Sequence, residues 1–238
     1  MSVRAITFDF WGTLFQDTGS TPRKEMRTAA LARIAGVDET ASDKALEASY
    51  ADFLRMHLEE QRTRTPEDAV EFVCGRLHVF LNEEQKRALA EVFATAILDY
   101  PPSLIEGAAE AVRAAAARFP IGIISDTGIS PAASLRILLD REGLTPHFGA
   151  MAFSDEVGVA KPQAPMFHCA ANGLKVQPGE LLHIGDLEPT DIAGVQALGG
   201  TGALFAGVNR RYREETTARF TLDSWAEFIE RLPELCGD

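Results

Sequence analysis

No stretch of the 238-residue chain approaches the roughly 20 consecutive apolar residues that a membrane-spanning helix requires. The opening segment, MSVRAITFDF, lacks a basic segment followed by an apolar run and a small-residue cleavage site. Both absences lead to the expectation of a soluble, cytoplasmic protein. Positive charge is scarce as well: Lys and Arg number 23 against 35 Asp and Glu, a net charge of -12. Such a surface repels phosphate backbones and anionic lipid, so neither nucleic acid nor a membrane is an expected partner. The three cysteines, Cys74, Cys169 and Cys236, lie far apart without CxxC spacing. An odd count of scattered thiols suits reduced, buried structural residues better than a disulfide framework. HExxH, GxSxG and zinc-type Cys/His spacings are all missing, and Gly199-Gly200-Thr201-Gly202 lacks the third glycine of a dinucleotide loop. Arg210, Arg211 and Arg213 are followed at once by Glu214 and Glu215, which reads as a solvated loop.

What is present is enough apolar residue, 46% of the chain, to bury a full core in one large or two smaller domains. An apolar strand over residues 3–8 ends at Asp9, with a turn glycine, Gly12, and a hydroxyl, Thr13, just beyond. From about residue 21 to 98 the pattern is helical. Thr21-Pro22 opens a helix running to about Gly36, Thr65-Pro66-Glu67-Asp68 opens another, and Asn82 with Gln85 forms a capping box ahead of Leu89, Val92, Phe93 and Ile97 on one face. Residues 17–100 are therefore expected to form a small all-helical domain.

Residues 1–16 and 101–238 read as the other domain. Helices over 107–118, 131–142, 165–172, 189–198 and 224–232 alternate with apolar strands over 121–124, 150–153, 181–184 and 201–206. Continuous apolar strands separated by helices predict a doubly wound parallel α/β sheet covered on both faces. Ligands of such sheets bind outside the carboxyl ends of the strands. Reactive residues fall at those ends in four successive loops: Asp9 and Thr13, then Ser125, then Lys161, then Asp186 and Asp191. Asp9, Asp186 and Asp191 would repel one another without a cation between them, and hard oxygen ligands on short loops suit Mg²⁺. Lys161 and the hydroxyls of Thr13 and Ser125 could then hold an anionic group facing Asp9, open to attack by its carboxylate.

The four segments together resemble the haloacid dehalogenase (HAD) superfamily along the whole chain. Asp9-Phe10-Trp11-Gly12-Thr13-Leu14 looks like its first motif, Ser125-Asp126 its second, Val157-Gly158-Val159-Ala160-Lys161-Pro162 its third, and Gly185-Asp186 through Asp191 its fourth. The resemblance implies a Rossmann-like core and a helical cap that closes over the site and selects substrate. It implies Asp9 as nucleophile, Mg²⁺ held by Asp9, the backbone carbonyl of Trp11 and Asp186, with Asp191 nearby, and a phosphate held by Ser125 and Lys161. Asp126 joins that set either as an acidic neighbour of the metal or as a cap for the following turn.

One position departs from the phosphatase pattern. Where those enzymes carry a second Asp that protonates the leaving group, this chain has Trp11, whose indole exchanges no proton at neutral pH. An acid/base contribution of roughly 10² to 10⁴ in rate is therefore missing or supplied elsewhere, with His57 and His78 of the helical segment as candidate donors. The leading expectation is a Mg²⁺-dependent phosphohydrolase of a small phosphorylated metabolite, working through an Asp9 aspartyl-phosphate with reduced or atypical activity. One alternative is a metal-free 2-haloacid dehalogenase, since members with that activity carry an aromatic residue at this position and use a cap arginine, here Arg23 or Arg27. Their Ser-Asn second motif and amide-bearing fourth motif are absent, however. A further alternative is a non-catalytic member that binds a phosphorylated ligand or a protein. A related variant, in which a cap lysine attacks a carbonyl, would draw on Lys24, Lys44 or Lys86. The natural substrate and the oligomeric state are not written in the sequence.

Overall fold

The structure, a computed structural model, describes residues 3–236. The chain divides into two compact units. One comprises the described residues of Met1–Asp17, Ser103–Asp126 and Leu139–Asp238, and the other comprises Thr18–Pro102 with Thr127–Leu138.

The first unit is built on eight strands: β1 (Ala5–Phe8), β2 (Phe15–Gln16), β3 (Ser103–Leu104), β4 (Ile121–Ser125), β5 (Phe148–Phe153), β6 (Leu181–Gly185), β7 (Thr201–Phe205) and β8 (Phe220–Leu222). Six of them form one sheet in the order β5-β4-β1-β6-β7-β8, parallel throughout. Helices flank the sheet, giving the expected Rossmann-like α/β fold. Every residue of β1, β4 and β6 is buried, which explains why these strands read as unbroken apolar runs. In register, Phe8 at the end of β1 faces Ile123 of β4 on one side and Ile184 of β6 on the other. The chain runs outward from β1 through β4 and β5 before crossing back to β6, so the winding reverses at β1. The carboxyl ends of β1, β4 and β6 consequently share one edge, where such sheets form their crevice.

Several elements depart from the sequence reading. β2 and β3 pair antiparallel, Phe15 opposite Leu104, in a two-residue ribbon too short for periodicity to register. β8 extends the sheet with three residues in a region of the sequence that carried no strand signal. The helix expected over 189–198 begins instead as a π-helical turn, Glu188–Ile192, and becomes α-helical only over Ala193–Ala197. Single π-turns frequently mark functional positions, and this one carries Asp191.

The helical unit contains helices Ser20–Ala35, Glu39–Arg55, Pro66–Leu77 and Glu83–Asp99. Thr65 with Asp68 and Asn82 with Gln85 form reciprocal capping boxes. The first helix starts at Ser20, and Gly36 ends it in the left-handed conformation that glycine adopts without strain. Leu31, Leu46, Val70, Val73, Leu89 and Phe93 make the core of this unit. Residues 127–138 belong with it: the buried Arg27 guanidinium donates to the Phe93 carbonyl, the Tyr50 hydroxyl and Ser130 Oγ, and Ser134 donates to the Ala94 carbonyl.

Among the described residues no helix is long and apolar enough to cross a membrane. Cys74 is buried as expected, whereas Cys169 is exposed because it lies on the outer face of Ala164–Leu174; the Cys236 side chain lies outside the described residues.

In the first unit the helix Trp225–Cys236 packs its leading residue into the core beneath the loop that follows β1. Trp225 is fully buried, stacks on Phe205 with ring centroids 4.5 Å apart, and meets Phe8 and Phe228 at 5.7 and 5.4 Å. Its indole N–H donates to the Thr13 carbonyl at 3.0 Å. Trp225→Phe keeps an aromatic ring but removes that donor and the volume of the second ring, leaving a buried carbonyl unpaired beside a small cavity, so denaturant unfolding should show a loss of at least about 1–3 kcal/mol. An unchanged midpoint would show that the bond contributes nothing to holding the loop.

Candidate active site

The loop after β1 is fixed by the backbone before any side chain acts. The Asp9 amide donates to the Ile184 carbonyl at 2.9 Å, which ties the end of β1 to β6. Phe10 accepts from the amides of Leu14 and Phe15, and the Gly12 amide donates to the Phe15 carbonyl, closing a tight loop. Phe10 stacks on Phe15 with ring centroids 4.3 Å apart, and half-buried Trp11 meets Phe10 edge-on at 5.0 Å. Gly12 has φ of 66°, and a Cβ there would lie 2.5 Å from Asp186 Oδ2. Only glycine allows the loop both that dihedral and that approach to the fourth loop.

Lys161 is the centre of the charge arrangement. It is 2% exposed, and its ammonium lies 2.8 Å from Asp9 Oδ1, 2.6 Å from Asp191 Oδ1 and 3.2 Å from the Ile124 carbonyl. Its backbone N–H donates to Asp126 Oδ1 at 2.9 Å, so one residue joins the second, third and fourth loops to the first. The Lys161-Pro162 peptide is cis.

Asp191 is fully buried with both oxygens engaged. Oδ1 lies 3.1 Å from His183 Nε2 as well as beside Lys161, and Oδ2 accepts from the Leu187 amide at 3.0 Å. Gly185 is required here, because a Cβ would fall 2.2 Å from the Asp191 carboxyl carbon. Asp186 faces the site with Oδ2 accepting from the Asn209 side chain at 2.8 Å. Oxygens of Asp9, Asp186 and Asp191 lie within 4.8 Å of one another. Ser125, fully buried, ends β4, and the buried Thr13 hydroxyl has no hydrogen-bond partner among the described residues.

Four carboxylates around one ammonium leave excess negative charge in a desolvated place, and the protonation equilibria reflect it. Burial pushes the Asp186 carboxyl up to about 7, and the charges of Asp191 and Asp9 add to the effect. Burial likewise raises Asp126 to about 7, although Lys161 pulls against it. Asp9 is raised by burial despite the Lys161 ammonium beside it. Asp191 goes the other way: burial opposes its ionisation, but Lys161 and His183 together hold it below the usual carboxylate range. Burial works against the charge on Lys161, and Asp191, Asp9 and Asp126 outweigh it, so its ammonium is held above the ordinary lysine range.

The first unit thus gathers Asp9, Trp11, Thr13, Ser125, Asp126, Lys161, Asp186 and Asp191 on the loops at one sheet edge. Most of the residues considered in the helical segment have local partners. Arg23 donates to the Tyr100 carbonyl, Arg27 is bonded as described, Lys24 pairs with Asp43 and Glu47, and Lys86 pairs with Glu71. His57 is buried with its ring stacked on Phe53, His78 is the exposed left-handed cap of Pro66–Leu77, and Lys44 is exposed. Three residues escaped the sequence reading: Asn209, His183 and Thr7, the last of which lies 3.0 Å from His183 Nδ1 through its hydroxyl. Two polar residues inside otherwise apolar strands were the available signal for the latter pair.

Comparison with known proteins shows the family and the fold. Residues 3–199 match the family model of haloacid dehalogenase-like hydrolases. The chain is 25% identical over 195 residues to (S)-2-haloacid dehalogenase 2 of Pseudomonas sp. (strain CBS-3), covering 76% of this chain and 75% of that protein. It is 30% identical over 184 residues to the phosphoserine phosphatase of Thermus thermophilus, covering 74% and 69% respectively. The fold matches that of a HAD-hydrolase from Bacillus subtilis bound to magnesium, with a TM-score of 0.65 at 16% identity over the whole of both chains. Matched over residues 3–199, the chain belongs to the haloacid dehalogenase-like hydrolases.

Proposed function

We propose that this hydrolase is a Mg²⁺-dependent phosphohydrolase of small phosphorylated metabolites, working in the cytoplasm with Asp9 as nucleophile and with slow turnover of poor leaving groups. The observation that carries the reading is the uncompensated charge: oxygens of three buried carboxylates within 4.8 Å, with Lys161 ion-paired to two of them. The donor set fits a hard, oxygen-loving cation. Asp9, Asp186 and the Trp11 carbonyl would hold it, while Asp191, with both oxygens engaged, stands beside the metal as the partner of Lys161. When bound, Mg²⁺ supplies positive charge that lets a phosphoryl group approach Asp9 and offsets the charge developing on its oxygens.

In this mechanism the Asp9 carboxylate attacks phosphorus, the bond from phosphorus to the substrate oxygen breaks, and an aspartyl-phosphate forms. Water then attacks that phosphorus, releasing inorganic phosphate and restoring the carboxylate. Lys161 and the Ser125 hydroxyl hold the phosphoryl oxygens, the unpaired Thr13 hydroxyl is a spare donor in the same loop, and Asp126 fixes the Lys161 backbone. Trp11 can neither protonate the departing oxygen nor take a proton from water, so substrates that leave as stable anions are favoured. The helical segment 17–100 is read as the cap that selects among them.

Trp11 and the 25% identical dehalogenase relative favour one other reading, in which Asp9 displaces halide from a 2-halo acid without metal and water hydrolyses the resulting ester. The acidic residues Asp126 and Asp186 weigh against it, since they stand where dehalogenases of this superfamily carry amide-bearing side chains and add acidic groups beside Asp9.

Assays of wild type, Asp9→Asn and Trp11→Asp on an aryl phosphate with Mg²⁺ and on 2-chloropropionate separate the two. The phosphatase reading expects slow Mg²⁺-dependent phosphate release, loss of it in Asp9→Asn, and a gain on alkyl phosphates in Trp11→Asp of about 10- to 100-fold, within the usual acid/base contribution. Metal-independent halide release that disappears in Asp9→Asn would replace it with the dehalogenase reading.

Stability against pH gives a second test. Asp186 and Asp126 titrate near 7 when folded and near the ordinary carboxylate value when unfolded, so the metal-free folded state holds more protons between about pH 4 and 7. Their contribution to stability is therefore complete below that window and is lost as pH rises through it. Mg²⁺ binds the ionised carboxylates, so the thermal midpoint gained on adding it should be larger at about pH 8 than at about pH 6, and absent in Asp186→Asn. Equal shifts at both pH values, or none, would rule out a metal on Asp186.

A further inference from the structure

The fourth loop depends on two residues that the proposed chemistry does not use. Thr7 of β1 and His183 of β6 are register partners across the centre of the sheet, and both are fully buried. Thr7 Oγ1 lies 3.0 Å from His183 Nδ1, His183 Nε2 lies 3.1 Å from Asp191 Oδ1, and Asp191 Oδ1 lies 2.6 Å from Lys161 Nζ, which in turn is 2.8 Å from Asp9. A single buried file of polar atoms therefore runs from the sheet interior to the nucleophile.

The chemistry of each member sets the direction of the bonds. Ionised Asp191 accepts only, so His183 must donate to it through an Nε2 proton. A neutral imidazole then has a bare Nδ1, which accepts from the Thr7 hydroxyl. Phe167 stands edge-on to the His183 ring at 5.5 Å and 89°, restricting its rotation.

We propose that His183, held as the Nε2–H tautomer by Thr7, is a positioning residue that orients Asp191 and through it aims Lys161 at Asp9. This rests on the phosphohydrolase reading for its kinetic consequence but not for its geometry. An apolar residue at 183 would leave Asp191 Oδ1 with Lys161 as its one remaining partner and let the carboxylate turn about its Leu187 contact. The ammonium would follow it away from Asp9, and a displacement of about 1 Å at a reacting centre can lower a rate by about 100-fold.

The test uses His183→Leu, His183→Gln and Thr7→Val in the full chain with Mg²⁺ and an aryl phosphate, well below each unfolding midpoint. His183→Leu should lose about 10- to 100-fold in kcat. His183→Gln, whose amide carries an N–H to about the place of Nε2, should recover to within a few-fold of wild type. Thr7→Val, which frees the tautomer without touching Asp191, should fall between them. A merely structural role predicts lowered thermal midpoints with kcat unchanged in all three, and that result would overturn the proposal.

Two readouts stand apart from turnover. Nitrogen-15 spectra of the substrate-free wild type should show His183 protonated at Nε2 and bare at Nδ1, and the reverse tautomer or a doubly protonated ring would overturn the assignment. Crystal structures of the Leu and Gln variants should show the Lys161 ammonium displaced from Asp9 in the first and retained in the second. An ammonium that stays in place in both would end the proposal, whichever substrate the enzyme takes. If the Leu variant does not fold, His183→Gln and Thr7→Val carry the comparison.

Discussion

The Lys161 ammonium is the interaction on which the rest of the site depends. It lies in the interior within 2.8 Å of two carboxylates that would otherwise repel each other, and its own backbone N–H binds a third. Removing one member of a buried charge set leaves the others uncompensated, which is far more damaging than never having buried them. The group therefore acts as a unit, and the fold has been shaped to let its members approach. Gly12 and Gly185 stand where a single Cβ would collide with Asp186 and Asp191, so both glycines answer the same electrostatic demand. Even with Lys161 in place negative charge remains in excess, which is why burial and neighbouring carboxylates push Asp186 and Asp126 up to about 7.

The architecture delivers these groups because β1 lies between β4 and β6 with all three strands parallel. Each strand ends at the same edge, and each following loop leaves from there with its polar candidate residue one or two positions beyond the last apolar one. No loop has to reach far, which keeps the side chains short and their geometry strict. Asp, Ser and Asp at strand ends cover most of the site, and a single long side chain, Lys161, spans what remains.

Much of this was legible in the sequence, for a physical reason. Doubly buried strands have to be apolar along their whole length, so a carboxylate or hydroxyl where the apolar run stops is conspicuous, as at Asp9, Ser125 and Asp186. Helix caps were equally plain, since Thr65 with Asp68 and Asn82 with Gln85 satisfy orphan amides by a local rule. The sequence was silent where the determinant is a partner far along the chain. Thr7 and His183 look like tolerated polar residues until register sets them side by side. Strands β2, β3 and β8 have too few residues to show a period, and nothing in Glu188–Ile192 announces a π-turn. Asp191 could be named as a metal neighbour, but its occupation by Lys161, His183 and the Leu187 amide depends on all three loops being assembled.

The bond from the Trp225 indole to the Thr13 carbonyl spans 212 positions of sequence. A chain made from its N-terminus synthesises Asp9 long before it synthesises Trp225, and β6, which holds the Asp9 amide, also comes late. The loop after β1 is thus translated well before the residues that become its final neighbours. Contacts so distant in sequence slow folding, because a large loop must close before they contribute. During synthesis the helical unit, whose first four helices are contiguous from Ser20 to Asp99, has most of its contacts within reach while β1 still waits for partners. Truncation before the helix Trp225–Cys236 would therefore leave the loop after β1, 212 positions earlier, without one of its anchors.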